Sequence, residues 1–313
     1  MIWDLRFGTS DFRPSKSNSS VPQSQIANQK SQYLKSEISN LLFLNGQFVP
    51  AEQARISVFD RGFLYGDGLF ETLRVARGKP FRWRQHIERL GRGMEFLKLS
   101  CQFAFDELAG FAGELIRRNQ MPEAVLRLTL SRGSGPRGYS IRGADGPTVA
   151  MSLHPVPAQP QAWRLVTSSV RLRADDPFAG FKSCNKLPQI LARNEADAAQ
   201  ADEALLTNTD GWVVEGAASN LFWVEHGQVC TPPVTRGALP GITRAVVFEL
   251  CQQAGIPCRE ADAKSEQLLR SEGVFLTLSS SGLVRASHLD EAPLAQSPIA
   301  TRLLAEYQAL LAM

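Results

Sequence analysis

The sequence lacks any long run of apolar residues. No stretch approaches the roughly 18 consecutive apolar residues that a membrane-spanning helix needs. The first residues also lack the apolar core that is typical of a secretory signal peptide. We therefore expect a cytoplasmic protein with no membrane partner.

A strong charge bias is absent as well. The formal net charge is only +3, from 34 Lys and Arg residues against 31 Asp and Glu residues. Basic runs interleaved with aromatic residues, which are typical of nucleic-acid grooves, do not occur. We expect no nucleic-acid partner.

Cysteine is sparse and its spacing carries no motif. The chain has an odd number of cysteines, with no CxxC pair and no histidine at metal-ligand spacing; they are Cys101, Cys184, Cys230, Cys251 and Cys258. This pattern argues against a disulfide framework and against a zinc site. We expect a reducing compartment and no bound metal.

The chain does contain enough apolar material for two folded domains. It has 313 residues, of which 43% are hydrophobic and 21% charged, values that are ordinary for globular proteins. Residues 1–40 are the exception, because they are rich in Ser and Gln and cannot offset their own ordering entropy. They are predicted to be a disordered tail.

A proline-rich segment divides the remainder. Three prolines fall within residues 154–160, which is typical of an extended linker. We place a smaller domain at residues 41–154, the linker at 155–162 and a larger domain at 163–313.

Strand-like and helical patterns alternate in both halves, which predicts an α/β (α+β) fold. In the first half, Asn45-Gly46 separates two apolar runs as in a two-residue hairpin. Further elements are expected near residues 71–79 (hairpin), 83–99 and 106–118 (helices), 126–130, 163–168, 204–208, 212–215 and 221–225 (strands), and 188 onward, 241–255 and 299–311 (helices).

Six short fragments become informative through their order along the chain. They are Tyr65-Gly66-Asp67-Gly68-Leu69-Phe70-Glu71, His86-Ile87-Glu88-Arg89, Ser131 to Ser140, Lys182-Ser183-Cys184-Asn185, Glu215-Gly216-Ala217-Ala218-Ser219-Asn220, and Leu239-Pro240-Gly241-Ile242-Thr243-Arg244. This ordered set resembles the class IV aminotransferases, which include branched-chain and D-amino-acid aminotransferases and aminodeoxychorismate lyase. The resemblance extends from about Leu41 to the C-terminal region. It implies a two-domain fold type IV enzyme with pyridoxal 5′-phosphate (PLP) between the domains.

The resemblance assigns the cofactor's lysine. The pattern Lys-x-x-Asn implies that Lys182 holds PLP as a Schiff base, whereas composition alone leaves Lys186 as a rival four residues later. The amine must be neutral to attack an aldehyde, so we expect partial burial to lower the pKa of Lys182. Glu215 is implied as the acceptor of the pyridine N–H, whereas without the resemblance a surface glutamate at a strand end is the preferred interpretation.

The phosphate group needs hydrogen-bond donors and positive charge. Gly241-Ile242-Thr243 opens a predicted helix, so its free backbone N–H groups can bind an anion. The hydroxyls of Thr243 and Ser279 are expected to add donors, and the His-x-x-Arg pattern implies that Arg89 supplies the charge. Leu239 is expected to pack on the flat face of the ring, although it is also a plausible core residue.

Which reaction is catalysed depends on residues that face the substrate, a small-molecule amine. The glycine-rich segment with Arg137 and Tyr139 resembles that of the lyases, and Phe70 stands where D-amino-acid aminotransferases carry tyrosine. Ser279-Ser280-Ser281-Gly282 departs from the lyase pattern, and Ser280 is a further candidate for substrate contact.

These features favour conversion of aminodeoxychorismate to 4-aminobenzoate and pyruvate, a step of folate biosynthesis. A D-amino-acid or branched-chain transaminase is the alternative, and a non-catalytic PLP-binding protein is a third. The resemblance also implies a homodimer with the active site near the subunit interface.

Overall fold

The protein is described by a computed structural model that covers residues 41–144, 146–158 and 160–313. The predicted disordered tail, residues 1–40, lies outside the described residues.

Six strands form an antiparallel sheet in the first half, in the order β2-β1-β6-β5-β3-β4. They are β1 (Leu41–Leu44), β2 (Gln47–Pro50), β3 (Gly68–Ala76), β4 (Lys79–Pro80), β5 (Ala124–Ser134) and β6 (Gly146–His154). The predicted hairpin joins β1 and β2, where Asn45 and Gly46 have φ angles of 48° and 92°. Both angles lie in the left-handed region that a two-residue hairpin turn requires.

Three helices accompany this sheet. They are α1 (Arg61–Tyr65), α2 (Trp83–Leu97) and α3 (Phe105–Asn119). Leu126, Leu128 and Leu130 of β5 are buried, and they share one apolar core with Ile87 and Leu90 of α2. The helical and strand periodicities in the sequence therefore mark the two surfaces that pack together.

The second half forms a mixed sheet in the order β12-β11-β10-β13-β14-β7-β8-β9, with β15 beside β14. Its strands are β7 (Trp163–Leu172), β8 (Glu203–Asn208), β9 (Val213–Gly216), β10 (Asn220–Glu225), β11 (Gln228–Thr231), β12 (Cys258–Glu260), β13 (Gly273–Leu278), β14 (Gly282–Leu289) and β15 (Ala292–Pro293). Strand β7 is parallel to both of its neighbours, β8 and β14. The crossover from β7 to β8 runs through a helix, as parallel strands require.

Four helices accompany this sheet: α4 (Leu187–Ala198), α5 (Ile242–Ala254), α6 (Ser265–Leu268) and α7 (Pro298–Ala312). Helix α4 packs Ala192 and Ala196 in the same cluster as Leu206 of β8. Helix α5 begins at its N-cap Gly241 and ends at Gly255, whose φ of 67° is the left-handed helix cap that glycine favours.

Several elements were not predicted from the sequence, notably β6, β13 and β14. Strand β13 has the sequence GVFLTL, and its first five residues are all buried. A strand covered on both faces has no alternation of apolar and polar residues, so the signal used for the other strands is absent. The proposed linker, residues 155–162, follows β6 and precedes β7, and the domain boundary stays a prediction.

Two further findings concern the described residues only. No helix there has the length and apolar character needed to cross a bilayer. None of the five cysteines forms a disulfide.

Candidate active site

A cavity of about 420 Å³ is lined by residues of both sheets. Its lining includes nine residues singled out from the sequence, namely Phe70, Arg89, Lys182, Glu215, Leu239, Ile242, Thr243, Ser279 and Ser280. These residues come from β3, from α2, from the segment before α4, from β9 and from the start of α5. The fold thus brings together side chains that are up to 210 positions apart in the sequence, from Phe70 to Ser280.

Lys182 is held in place by its backbone. The Phe70 N–H donates to the Lys182 carbonyl at 2.9 Å, and the Cys184 N–H donates to the Gly68 carbonyl at the same distance. The segment around Lys182 therefore pairs with the first residues of β3 like a short extra strand. This pairing fixes the point from which the lysine side chain enters the cavity.

The Lys182 amine has no hydrogen-bond or ion-pair partner among the described residues, and it lies 4.8 Å from the centroid of the Phe70 ring. Burial, followed by the positive charges of Arg89 and Lys186, lowers the pKa of Lys182 to about 8. An ordinary lysine is almost fully protonated at pH 7, whereas roughly 10% of an amine with this pKa is neutral. The site therefore supplies a nucleophilic amine.

Phe70, predicted to contact the substrate, also contacts two cationic side chains. The guanidinium carbon of Arg127 lies 4.0 Å from the ring centroid, and the Lys182 amine contacts the same ring. Cations interact favourably with an aromatic ring face. Phe70 therefore lines the cavity and also helps to position the lysine.

Glu215 stands near the end of β9 and lines the cavity. Its Oε2 accepts hydrogen bonds from the Leu239 N–H at 2.9 Å and from Asn220 Nδ2 at 3.3 Å. Burial raises the pKa of Glu215, against the Leu239 N–H and the charge of Lys186, which favour its ionised form. A buried carboxylate is costly without a cationic partner, and a protonated ring nitrogen would supply one.

The start of α5 forms another part of the site. Gly241, Ile242 and Thr243 line the cavity where the first backbone N–H groups of the helix lack intrahelical acceptors. A Cβ at Gly241 would lie 1.9 Å from Asn220 Oδ1, so no larger residue fits there without movement. Ser279 lies on the same lining, and backbone N–H groups at a helix start are donors of the kind that an anion needs.

Arg89 is tied into a buried cluster that the sequence analysis missed. Its Nε and Nη2 donate to the two carboxylate oxygens of Glu71 at 2.8 and 2.6 Å, and its Nη1 donates to the Pro240 carbonyl at 3.0 Å. His86 Nδ1 lies 2.7 Å from Glu71 Oε2. Arg89, Glu71 and His86 are only 1%, 1% and 2% exposed.

This cluster changes the role expected for Arg89. Burial opposes ionisation of Glu71, but Arg89 and His86 hold the pKa of that carboxyl below its ordinary value. The Glu71 carboxylate therefore balances the Arg89 charge inside the protein. Glu71 lies on the same face of β3 as the buried Leu69 and Leu73, and its spacing to His86 carries no motif.

Arg137 and Tyr139, both predicted to bind substrate, are absent from the cavity lining. Tyr139 is 88% exposed and its ring packs edge-on against Tyr65, with the centroids 5.6 Å apart. Arg61 Nη1 donates to the Gly138 carbonyl at 2.8 Å and so fixes this loop. Their substrate contacts stay a prediction.

Helix α4 contributes lining residues that were not predicted. They are Gln189, Ile190, Arg193 and Asn194, with Lys186 just before the helix. Their spacing of one, three and four residues places them on one side of the helix. Most of these positions are polar, so their periodicity carries no signal of burial at a cavity.

Comparison with known proteins settles the family. Residues 68–289 match the sequence pattern of amino-transferase class IV. The chain belongs to the class IV aminotransferase family. Class IV aminotransferases use PLP, so the predicted cofactor and the predicted two-domain α/β fold are both confirmed.

Individual relatives differ in their reactions. The chain is 36% identical over 252 residues (80% of this chain, 88% of the relative) to a Methanocaldococcus jannaschii protein provisionally assigned as a branched-chain-amino-acid aminotransferase. It is 31% identical to the aminodeoxychorismate lyase of Vibrio harveyi, over 75% of this chain and 88% of that enzyme. The branched-chain aminotransferase of Thermoproteus uzoniensis has a similar structure, with a TM-score of 0.83, 28% identity and coverage of 87% and 95%. The family is shared, and the reaction type varies within it.

Proposed function

We propose that Lys182 binds PLP covalently and that its amine then moves the proton on the substrate carbon that bears the amino group. The observation that carries this proposal is the unpartnered amine of Lys182, which lines the same cavity as the start of α5 and the buried Glu215. Bound PLP supplies an electron-withdrawing ring to that carbon. Every other task falls to residues of the chain.

Glu215 holds the ring nitrogen by accepting its N–H. The carboxylate is fixed for this by the Leu239 N–H and the Asn220 amide, so the acceptor needs no reorganisation when the ring arrives. Leu239 would lie against one face of the bound ring, and the small residues of 216–219 border the same cavity. A planar group can therefore approach the backbone closely.

The phosphate is bound by the N-terminal N–H groups of α5, by Thr243 and by Ser279. Arg89 adds a positive charge whose direction is set by Glu71 and by the Pro240 carbonyl. Pro240 directly precedes Gly241, so one hydrogen bond ties the arginine to the start of the helix. The phosphate end is thus a rigid unit.

For the reaction itself, we propose elimination of pyruvate from aminodeoxychorismate, with 4-aminobenzoate as the other product and folate biosynthesis as the pathway. Support comes from the glycine-rich segment with Arg137 and Tyr139, from Phe70, and from similarity to the Vibrio harveyi lyase. Lys182 removes the proton from the amine-bearing carbon, and the leaving group departs from the adjacent carbon.

A transaminase acting on branched-chain or D-amino acids is the second candidate. It is favoured by the greater identity to the Methanocaldococcus jannaschii relative and by the Ser279 to Gly282 segment, which departs from the lyase pattern. In this reaction Lys182 would hold and return the same proton, and no group would leave the substrate.

The two reactions differ in whether a second substrate is needed. Purified enzyme is incubated with aminodeoxychorismate and, separately, with L-leucine, L-glutamate or D-alanine, without any keto acid. Multiple turnovers that release 4-aminobenzoate and pyruvate support the lyase. A single stoichiometric loss of the yellow colour with one amino acid, without turnover of aminodeoxychorismate, would establish the transaminase instead. Lys182→Ala is the inactive control.

We further propose a cytoplasmic homodimer. Residues 56–64 expose a row of large apolar side chains, among them Phe59 at 65% and Phe63 at 67%. Exposed apolar surface of this kind is typical of a covered interface. The Arg137 and Tyr139 loop packs beside it through Arg61 and Tyr65, so a second copy on this surface would contact both.

Sedimentation tests the dimer. The wild-type chain is expected at twice the monomer mass, and Phe59→Ser together with Phe63→Ser is expected to weaken association at least tenfold. An active enzyme that sediments as a monomer at assay concentration contradicts the proposal.

A further inference from the structure

Glu203 is a buried carboxyl that is not among the residues lining the cavity. It is the first residue of β8 and is only 1% exposed, and none of the ion pairs among the described residues includes it. Burial raises the pKa of Glu203, whereas the backbone N–H groups of Ala204 and Ala218 favour its ionised form. A buried carboxyl without a cationic partner is costly, and an apolar side chain could fill the same space. Its hydrogen bonds indicate what the fold uses it for.

The Glu203 carboxylate holds the connection between β9 and β10, which consists of residues 217–219. Its Oε2 accepts hydrogen bonds from the Ala218 N–H at 3.1 Å and from the Ser219 hydroxyl at 3.0 Å. Its Oε1 accepts from the Ala204 N–H at 3.0 Å. One buried carboxylate therefore ties this connection to the start of β8.

The backbone has little freedom where the connection begins. The Gly216 N–H donates to the Ser219 carbonyl at 2.7 Å, and the Ala217 N–H donates to the Ala204 carbonyl at 3.0 Å. A Cβ at Gly216 would lie 2.3 Å from Ser219 Oγ and 3.1 Å from Glu203 Cγ. The glycine, the turn and the carboxylate thus pack in direct contact, and loss of the carboxylate would leave the Ala218 and Ser219 donors without this acceptor.

The two ends of the connection carry the groups proposed to bind the ring nitrogen. Glu215 precedes Gly216, and Asn220 directly follows Ser219. Asn220 Nδ2 donates to Glu215 Oε2 at 3.3 Å and to the Leu239 carbonyl at 2.8 Å. The position of Glu215 relative to Asn220 therefore depends on the connection that joins them.

We propose that Glu203 is a positioning residue, which holds residues 217–219 in place and thereby fixes Glu215 as the acceptor for the ring N–H of PLP. This inference rests on the proposed role of Glu215. An acceptor that is already in place needs no reorganisation when its donor arrives, so its hydrogen bond is stronger. Replacing Glu203 should therefore weaken the contact with the ring nitrogen in particular.

The test compares PLP with its deaza analogue, in which a C–H group replaces the ring nitrogen. Each compound is titrated into the cofactor-free full-length chain, and the ratio of the two dissociation constants measures the contribution of the ring nitrogen. In the wild type PLP should bind at least about tenfold more tightly than the analogue. Glu203→Met keeps the chain length but removes the acceptors, and it should reduce this ratio at least about threefold. Glu203→Gln keeps one acceptor oxygen and should give an intermediate ratio.

Glu195→Met is the matched control. The Glu195 carboxylate also accepts from a serine hydroxyl and a backbone N–H, those of Ser168 and Ser169, at 2.5 and 2.8 Å. These donors belong to β7 and are not among the residues lining the cavity, so the ratio should stay at the wild-type value. If Glu203→Met does not fold, Ser219→Ala removes one donor from the other side of the same contact and should also lower the ratio.

Two results would overturn the inference. One is an unchanged ratio in Glu203→Met, including the case in which both affinities fall equally, because a general loosening of the cavity does not single out the ring nitrogen. The other is an equal fall of the ratio in Glu195→Met. Failure of the proposed function looks different: equally tight binding of the two compounds to the wild type would refute the role of Glu215 itself.

Discussion

Replacing Glu71 with glutamine tests whether the buried cluster of Glu71, His86 and Arg89 stabilises the part of the cavity that is proposed to bind the phosphate. Glu71 is 1% exposed and accepts hydrogen bonds from two Arg89 nitrogens and from His86. An amide keeps the shape but loses the charge, and its NH₂ group would face the donors of Arg89. Removing one partner of a buried ion pair costs about 3–5 kcal/mol, because the other charge stays uncompensated.

The loss of thermal stability in Glu71→Gln should depend on whether PLP is bound. For a chain of this size, about 2–4 °C of thermal midpoint corresponds to 1 kcal/mol. We expect the midpoint of the cofactor-free Glu71→Gln protein to fall by on the order of 10 °C. With saturating PLP the difference from wild type should shrink, because the phosphate then supplies Arg89 with a counter-charge.

Thermal unfolding followed by circular dichroism, with and without PLP, measures both effects. Glu88→Gln is the matched control, because Glu88 lies on the same helix as Arg89 but is 50% exposed and pairs only with Arg84. That exposed pair contributes less than about 1 kcal/mol. Equal midpoints for Glu71→Gln and wild type, or equal losses in the two variants, would refute the reasoning.

Three other perturbations address the lysine and the anion site. Lys182→Ala should lower kcat by at least about 10⁴-fold, because the nucleophile and the proton carrier are lost together. The variant should also carry no pyridoxyl label after borohydride reduction. A variant that is labelled and active contradicts this prediction. Gly241→Ala should weaken PLP binding at least about tenfold, because the added Cβ would clash with Asn220. Gly110→Ala is the control and should leave binding unchanged, because nothing lies within 4 Å of its added Cβ. Fluorescence titration measures PLP binding in both variants. The rate at which the cofactor-free enzyme binds PLP, measured by stopped flow, should rise as the pH approaches 8 and level off above it. The reason is that the pKa of Lys182 is about 8 and only the neutral amine attacks. A rate that does not change from pH 6 to 9 would be inconsistent with that pKa.

Much of the fold could be predicted from local patterns. Short-range signals predicted three of its elements: the turn residues Asn45-Gly46, the helical spacing of apolar residues in α2, and the glycine that ends α5. Strand β13 could not be found in this way, because burial on both faces removes the alternation. Strand order was equally inaccessible, since β7 pairs with β8 and β14 across long stretches of chain.

For the site, the sequence by itself determined the chemical groups and their order: the lysine, the glutamate and the helix start are recognisable because each belongs to a short motif with fixed spacing. Only the tertiary structure decided which groups face one another. Glu71 became the partner of Arg89, and Glu203 became the acceptor for residues 217–219, because strand and helix packing brought them there. Charge balance and pKa depend on distance and burial in three dimensions, and no spacing along one chain encodes these directly.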